Sequence, residues 1–323
     1  MAYTYRNCSN LTGSPACGSK VTNMSHAYDN CRKLTGSPVC GNKVTDMSYA
    51  YYGANVYTAV CGPSVTNMSY AYSNSYIDYS AVCGPNVIDM SYAYENCSFL
   101  YFPALQSEMT NVVNMCGTYA NCQRLVGAVC GPNVVDMSMA YYDCADIQDN
   151  AVCGPNVKLM RYTYAEATTL FSADCGDKVE DMEGAFMNCY RIKHAVCGPN
   201  VKNMGATYYG CSNLTTAVFG KNVTSISEAY FNCPNIQGNT YIYSTELNSC
   251  TRCFYGRNSS NRLNIYCPSN SNTLKVLTNT TRYYGLVAWQ TKWTATDDYY
   301  YTTSNIYIYP VANVEAARIA NGD

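Results

Sequence analysis

The residues with chemical potential are thiols and phenols. The chain carries 20 Cys and 34 Tyr among 323 residues, against 2 His. Thiolates serve as nucleophiles, as zinc ligands or as disulfide halves. The tightest thiol motif is Cys250-Thr-Arg-Cys253, with Cys267 fourteen residues on. A tetrahedral zinc site needs a fourth ligand, and no histidine lies near these three, so the motif reads as packing thiols. His26 and His194 are far apart and offer no general-base constellation. Carboxylates occur as neighbours, Glu180-Asp181 and Asp297-Asp298, where adjacency points both to solvent rather than into one cleft. No glycine-rich phosphate loop or nucleophile motif is present. Catalytic, cofactor-binding and metal-binding residues are therefore not assigned, and the sequence reads as non-enzymatic.

The other cysteines belong to a repeat. A Met recurs at 1, 24, 47, 68, 90, 115, 137, 160, 182 and 204, with Ile226 in the next place. Taking this anchor as position 0, Val stands at −3 (Val21, Val44, Val65, Val87, Val112, Val134, Val157, Val179, Val201, Val223) and an aromatic at +4 (Tyr28, Tyr51, Tyr72, Phe186, Tyr230 and the rest). An apolar residue such as Leu34, Leu125 or Ile192 usually fills +10. Cysteine forms two further columns. Cys17, Cys40, Cys61, Cys83, Cys130, Cys153, Cys175 and Cys197 lie at −7, and Cys8, Cys31, Cys97, Cys122, Cys144, Cys189, Cys211 and Cys233 at +7. Losses in the two columns are uncoordinated: Cys40 faces Ala54, Cys61 faces Ser75 and Cys153 faces Ala167. Paired columns would lose members together, so the expectation is a ladder of reduced thiols in which Cys serves as a small apolar residue.

Positions −3, 0, +3, +4 and +7 share one face of a helix of period 3.6. The preceding CGPN reads as a turn, and the short β-branched run before it (TAV, NAV) as a strand. Each unit is then expected to be a strand, a turn, a short helix and a return loop. No such unit buries its face alone; stacking supplies the core. The run VTSISEAYFNCPNI (223–236) is similar to the BspA-like leucine-rich repeat, with VTNMSHAYDNCRKL (21–34) and VIDMSYAYENCSFL (87–100) alongside. The resemblance covers residues 1–236. It implies an α/β solenoid of about eleven leucine-rich-repeat-like units of 21–25 residues. Departures are the Cys-Gly at the turn and the three extra residues near YFPALQSEMT (101–110).

Residues 237–323 read differently. LNIYC (263–267), LVAW (286–289) and NIYIYP (305–310) alternate polar with apolar, and Tyr283, Tyr284, Tyr299, Tyr300, Tyr301, Tyr307 and Tyr309 crowd the segment. A small β-rich C-terminal domain that caps the repeat is expected.

Charge narrows the role. Charged residues are 13% with a net charge of −2, which disfavours a nucleic-acid partner. No apolar run approaches the ~18 residues of a membrane span. The start MAYTYRNCSN shows no leader pattern. With a surface rich in Tyr, Asn, Thr and Ser, suited to adaptable contacts, these features suggest a virion part such as a bacteriophage fibre, tail or baseplate protein. The alternative, implied by the resemblance, is a bacterial surface adhesin; a glycan-active enzyme is the remote third. Expected partners are other virion or surface proteins, a second copy or another chain docking at the N-terminal edge, and a host-surface protein or glycan. In the family that the chain resembles, the residue between the two inward strand positions faces the concave side. Here that row is Val39, Val60, Val82, Val129, Val152, Val196 and Val218, flanked by Thr58, Ser80 and His194. A row of exposed valines would be an apolar stripe that a partner covers.

Overall fold

The computed structural model describes residues 1–278, 294–295, 300–301 and 305–323. It divides into two compact units, Met1–Thr169 and Leu170–Asp323. Within each, successive repeats stack as coils joined by parallel bridges one residue before the anchor. Asn23, Asp46, Asn67, Asp89, Asn114, Asp136 and Leu159 run in the first unit, and Asp181, Asn203, Ser225 and Ser249 in the second.

The helix expected in every repeat is absent: no described residue between 1 and 271 is α-helical. In its place is a ribbon of tight turns, set by two left-handed residues per coil. At +2 stand Tyr3, His26, Tyr49, Tyr70, Tyr92, Met139, Tyr162, Ala206 and Glu228, with Gly117 and Gly184, and at +6 Asn30, Asn74, Asn96, Asn121, Asp143, Glu166, Asn188 and Asn232, with Gly53 and Gly210; all have φ between 50° and 74°. One left-handed residue every fourth position stops the turn from propagating as a helix. It also turns alternate N–H groups outward, along the stack. Met24, His26, Tyr28 and Asn30 donate to the carbonyls of Asp46, Ser48, Ala50 and Tyr52 in the next coil, at 2.8, 2.9, 2.8 and 2.7 Å. Met204, Ala206, Tyr208 and Gly210 do the same to Ser225, Ser227, Ala229 and Phe231 in the second unit. Left-handed backbone costs about 1–2 kcal/mol per non-glycine residue; the inter-coil bond and the burial that it permits offset this.

Columns −3, 0, +4 and +10 are the core. Val44, Met47, Tyr51, Val134, Met137, Tyr141 and Leu214 are fully enclosed. The +4 rings stack coil upon coil, with Tyr28, Tyr51, Tyr72 and Tyr94 at centroid distances of 5.4, 5.5 and 5.6 Å. In most coils Asn or Asp at −1 starts the ribbon by accepting the N–H two residues on, as Asp136 Oδ1 does from Ser138 at 2.8 Å. The Asn that closes the turn reaches the previous coil: Asn86 and Asn156 of CGPN, and Asn222 of the equivalent FGKN, donate to the carbonyls of Pro63, Pro132 and Pro199, each at 2.8 Å.

All twenty cysteines are free thiols, and each column has its own reason to be cysteine. The +7 thiol is a donor rather than a mere apolar filler. Cys122, Cys144 and Cys233 each give S–H to the carbonyl of the +4 residue in the previous coil, Tyr94, Tyr119 and Tyr208, at 3.0 Å. Ser75 replaces Cys without loss because its hydroxyl makes the same bond, to Tyr51 at 2.6 Å. The −7 thiol explains the Cys-Gly pair. A Cβ on Gly84 would lie 2.6 Å from Cys61 Sγ, and one on Gly154 2.6 Å from Cys130 Sγ. Each sulfur thus fills the space left by the glycine of the next coil.

The repeat columns, expected to stop near Gln237, continue. Ile226, Glu228, Tyr230 and Asn232 donate to Ser249, Thr251, Cys253 and Tyr255, and Arg252 and Gly256 are left-handed at φ 50° and 79°. Leu247, Cys250, Cys253 and Phe254 stand buried where other coils carry Val, Met, a small residue and Tyr. Cys250-Thr-Arg-Cys253 is therefore the core of a further coil.

Strands are few and appear in both units. β1 (Tyr79–Ser80) pairs parallel with β2 (Leu100–Phe102) in the first unit. In the second, β3 (Gly238–Tyr241), β4 (Leu263–Pro268) and β7 (Ile306–Val311) are parallel, and β6 (Tyr300–Tyr301) and β5 (Thr294–Ala295) add antiparallel beyond β7. Leu263, Ile265 and Cys267 of β4 point inward. Tyr241, Tyr266 and Tyr309 stack across the sheet at 5.1 and 4.9 Å. Two short helices follow β4 and β7, α1 (Asn272–Leu277) and α2 (Val314–Ala320), capped by the side chains of Ser271 and Asn313. Tyr283, Tyr284, Tyr299, the LVAW run and Asp297-Asp298 lie outside the described residues.

Candidate functional site

Two rows of side chains repeat along the coils and reach solvent. The first is the valine row. Its expected strand partners do not exist outside β1 and β2. Instead, each valine's peptide groups are held from within the coil by the +4 tyrosine twelve residues on. Tyr51 Oη accepts from Val39 N–H at 3.0 Å and donates to its carbonyl at 2.8 Å. Tyr72 grips Val60, Tyr94 grips Val82, Tyr141 grips Val129, Tyr164 grips Val152, Tyr208 grips Val196 and Tyr230 grips Val218 in the same way. One phenol thus satisfies a donor and an acceptor that a sheet would otherwise pair. Burial drives the phenols of Tyr72, Tyr94, Tyr141, Tyr208 and Tyr230 far above their usual range, so each keeps the proton that it donates.

The valine side chains are half-buried, and Val218 is 38% exposed. Cys83 and Cys130 beside them are buried, whereas Cys40, Cys61, Cys153 and Cys197 are half-buried. Thr58, Ser80 and His194 are exposed.

The second row was not singled out from the sequence. Tyr3, His26, Tyr49, Tyr70 and Tyr92 occupy position +2 of five successive coils and stack at 4.8, 4.5, 4.5 and 4.7 Å. Stacking at this distance compensates bulky rings for a left-handed backbone. Position +5 alongside is polar: Asp29, Tyr52, Ser73 and Glu95. Asp29 is buried and accepts from His26 Nδ1 at 2.8 Å and Arg6 Nε at 3.1 Å. Ser73 donates to Glu95 at 3.0 Å. Burial lifts Tyr70 to about 12, so its hydroxyl is a proton donor at any physiological pH. The signal that could have found this row is the aromatic two residues before the +4 ring in consecutive units.

The cysteines have the chemistry of a core. Burial pushes Cys61, Cys83, Cys97, Cys130 and Cys197 up to about 12, which removes the thiolate that nucleophilic or metal chemistry needs. Among the described residues no group of three or more His, Cys, Asp or Glu side chains is arranged to hold a metal ion. No described helix is long and apolar enough to cross a membrane.

Residues 137–261 match the family described as BspA type leucine rich repeat region, in six copies. The match runs past Gln237 to the end of the coil built on Cys250, and the repeats there are similar to this type. No curated protein matches the chain. Three solved structures are similar at low identity. A leucine-rich repeat protein from Bacteroides ovatus shares 12% identity over 85% of this chain and 83% of its own, with a TM-score of 0.46. A leucine rich cell surface protein from Faecalibacterium prausnitzii shares 13% over 71% and 86%, with a TM-score of 0.31. The pneumococcal vaccine antigen PcpA shares 12% over 80% and 84%, with a TM-score of 0.32.

Proposed function

We propose that the protein is a non-enzymatic recognition module working outside the cell as a surface adhesin, with the face of its repeats as the contact surface. The observation that carries this is the economy of the coil. Asn, Asp, Cys, Tyr and Gly columns are used up in holding each coil together and joining it to the next, and the +2 rings are stacked coil on coil, while the valine side chains reach solvent without such a duty. The match over 137–261 supports the adhesin form. A place on a virus particle is the second form of the same role, supported by the low charge and the Tyr/Asn/Thr/Ser-rich composition; immunolabelling of intact cells against purified particles separates the two. Docking of a second copy or another chain against the first coil is part of the proposal, and sedimentation of the purified chain tests it. In the valine row, Val82→Asp with Val129→Asp is the direct test. Loss of adhesion to host cells by at least about tenfold, with an unchanged circular dichroism spectrum, is expected. Adhesion equal to that of the unmodified chain would remove the row from the contact surface.

A further inference from the structure

The first unit contains a groove of about 610 Å³ that neither row explains. It is lined by Asn30, Arg32, Tyr52, Gly53, Asn55, Tyr57, Asn74 and Tyr76. Its origin is a gap in a ladder. At +6, asparagine side chains join coil to coil, as Asn121 donates to Asn96 at 2.8 Å and Asn96 to Asn74 at 3.1 Å. In the coil anchored at Met47 this position is Gly53, left-handed at φ 58°, and a Cβ there would meet Asn30 Oδ1 at 3.0 Å. That coil is also the shortest, 21 residues from Met47 to Met68. With no side chain at Gly53, the amides of Asn30 and Asn74 flank an opening two coils wide, about 10 Å.

The lining is chemically unlike the valine row. Tyr57 and Tyr76 are 53% and 51% exposed, and their rings are tilted 45° at 6.4 Å, so they do not cover each other's faces, while Tyr76 stacks on Phe99 of the next coil at 5.9 Å. Tyr52 forms another wall. Among the described residues, the Arg32 guanidinium, the Asn55 amide and the hydroxyls of Tyr52, Tyr57 and Tyr76 make no hydrogen bond. Open ring faces accept the C–H faces of a saturated ring through their negative quadrupole. Amides offer a donor and an acceptor side by side to vicinal hydroxyls, and a guanidinium adds donors. An apolar protein side chain would leave these polar groups uncompensated, whereas a polyhydroxylated ring satisfies both sets.

We infer that this groove binds a carbohydrate, with a pyranose ring against Tyr57 and Tyr76, its hydroxyls on Asn55 and the flanking asparagines, and Arg32 at the rim. The inference rests on the reading of the chain as a recognition module and names a ligand class for it. The experiment is titration calorimetry of the full chain with two sets of probes, neutral hexose oligosaccharides and uronic-acid-containing oligosaccharides. Saturable binding to either set is expected, weakened at least about tenfold by Tyr57→Ala and by Asn55→Ala and unchanged by the double replacement of Val82 and Val129 with Asp. A preference for the acidic set that disappears in Arg32→Gln assigns the acidic source; equal binding in Arg32→Gln assigns the neutral one. Tyr57 and Asn55 stand on the surface of a coil whose core they do not enter, and thermal melting of each variant checks that it folds. Absence of saturable binding to both sets, or binding undiminished in folded Tyr57→Ala, overturns the inference. Loss of cell adhesion in the valine variant with saccharide binding intact keeps the two contacts distinct; saccharide binding without any adhesion by the unmodified chain refutes the adhesin reading alone.

Discussion

Single residues in this fold carry two obligations at once. The +4 phenol is both the stacked core ring and the partner of a valine peptide. Tyr141→Phe keeps the ring and strips both bonds from Val129, leaving a donor and an acceptor to find water. A loss of about 1–3 kcal/mol is expected, read as a lower urea midpoint with unchanged slope. One natural coil already carries Phe186 in this column. The thiols make a second case. Burial holds Cys97, Cys130, Cys197 and Cys233 up at about 12, from 9.0, while the unfolded chain loses these protons near its ordinary value. Between about pH 9 and 12 the native state thus binds more protons, and stability falls as pH rises through that window. The stabilisation is fully present below it. Denaturant midpoints should be flat from pH 6 to 8 and decline steeply above 9; a midpoint that rises above pH 9 contradicts the buried-thiol assignment. Native alkylation at pH 8 should label the exposed Cys8 and spare Cys97 and Cys122 until the chain is unfolded.

At the scale of the coil, the spacing of Val, Met, Tyr and Cys was legible, and so was the fact of stacking. The backbone between those residues was not. Positions −3, 0, +3, +4 and +7 fit a 3.6-residue helix, yet a ribbon with a left-handed residue every fourth position puts the same side chains inward. The clue lay in the polar columns: Asn, Gly and Asp gather at +6, where φ is positive, and Asn or Asp at −1 forms the turn that opens the ribbon. The +2 column hid this, because Tyr, Met and Ala, unlike Asn or Gly, give no sequence signal of a left-handed backbone. The coil at 247–256 was illegible for another reason. Cysteine replaces both Met and the small residue, so Cys250-Thr-Arg-Cys253 presents itself as a metal motif. Of the proposed contact surface, the valine row was read from an alternation along strands that these residues do not form, whereas the groove beside Gly53 depends on which neighbouring side chains are missing. The Cys-Gly pair offers a sharp test of coil packing. Gly84 has no positive φ, so Gly84→Ala acts only through contact with Cys61 Sγ at 2.6 Å and Gly62 O at 3.0 Å. A cost of about 1–3 kcal/mol is expected by chemical denaturation. Gly127→Ala, whose nearest neighbour would be Asp149 Oδ2 at 3.7 Å, should be close to neutral.

Across the molecule, stability in each unit is a sum over coils and their nearest neighbours. Removing one whole period should therefore be tolerated where removing half is not. Deleting residues 115–136 joins Asn114 to Met137 and hands every column to its equivalent. The product should remain soluble and monodisperse by gel filtration, with the circular dichroism spectrum of the parent scaled to its length. Deleting 115–125 moves core columns onto solvent positions and should yield aggregated chain. Equal behaviour of the two deletions would mean that the coils are not interchangeable. The same logic accounts for the low charge: a scaffold that satisfies its polar groups with amides, hydroxyls and thiols needs few ion pairs, and the described ones are few and mostly at the surface.

The tyrosine column has an optical consequence. In the first unit Tyr5, Tyr28, Tyr51, Tyr72, Tyr94, Tyr119, Tyr141 and Tyr164 lie face to face at 5.2–5.9 Å with planes within 21° of one another. Chromophores this close do not absorb as independent phenols. Their transition dipoles couple, and an excitation created on one ring travels to the others before it is emitted. The near-ultraviolet signal of these rings therefore belongs to the row as a whole, and a break at any one coil shortens the path for all of its neighbours.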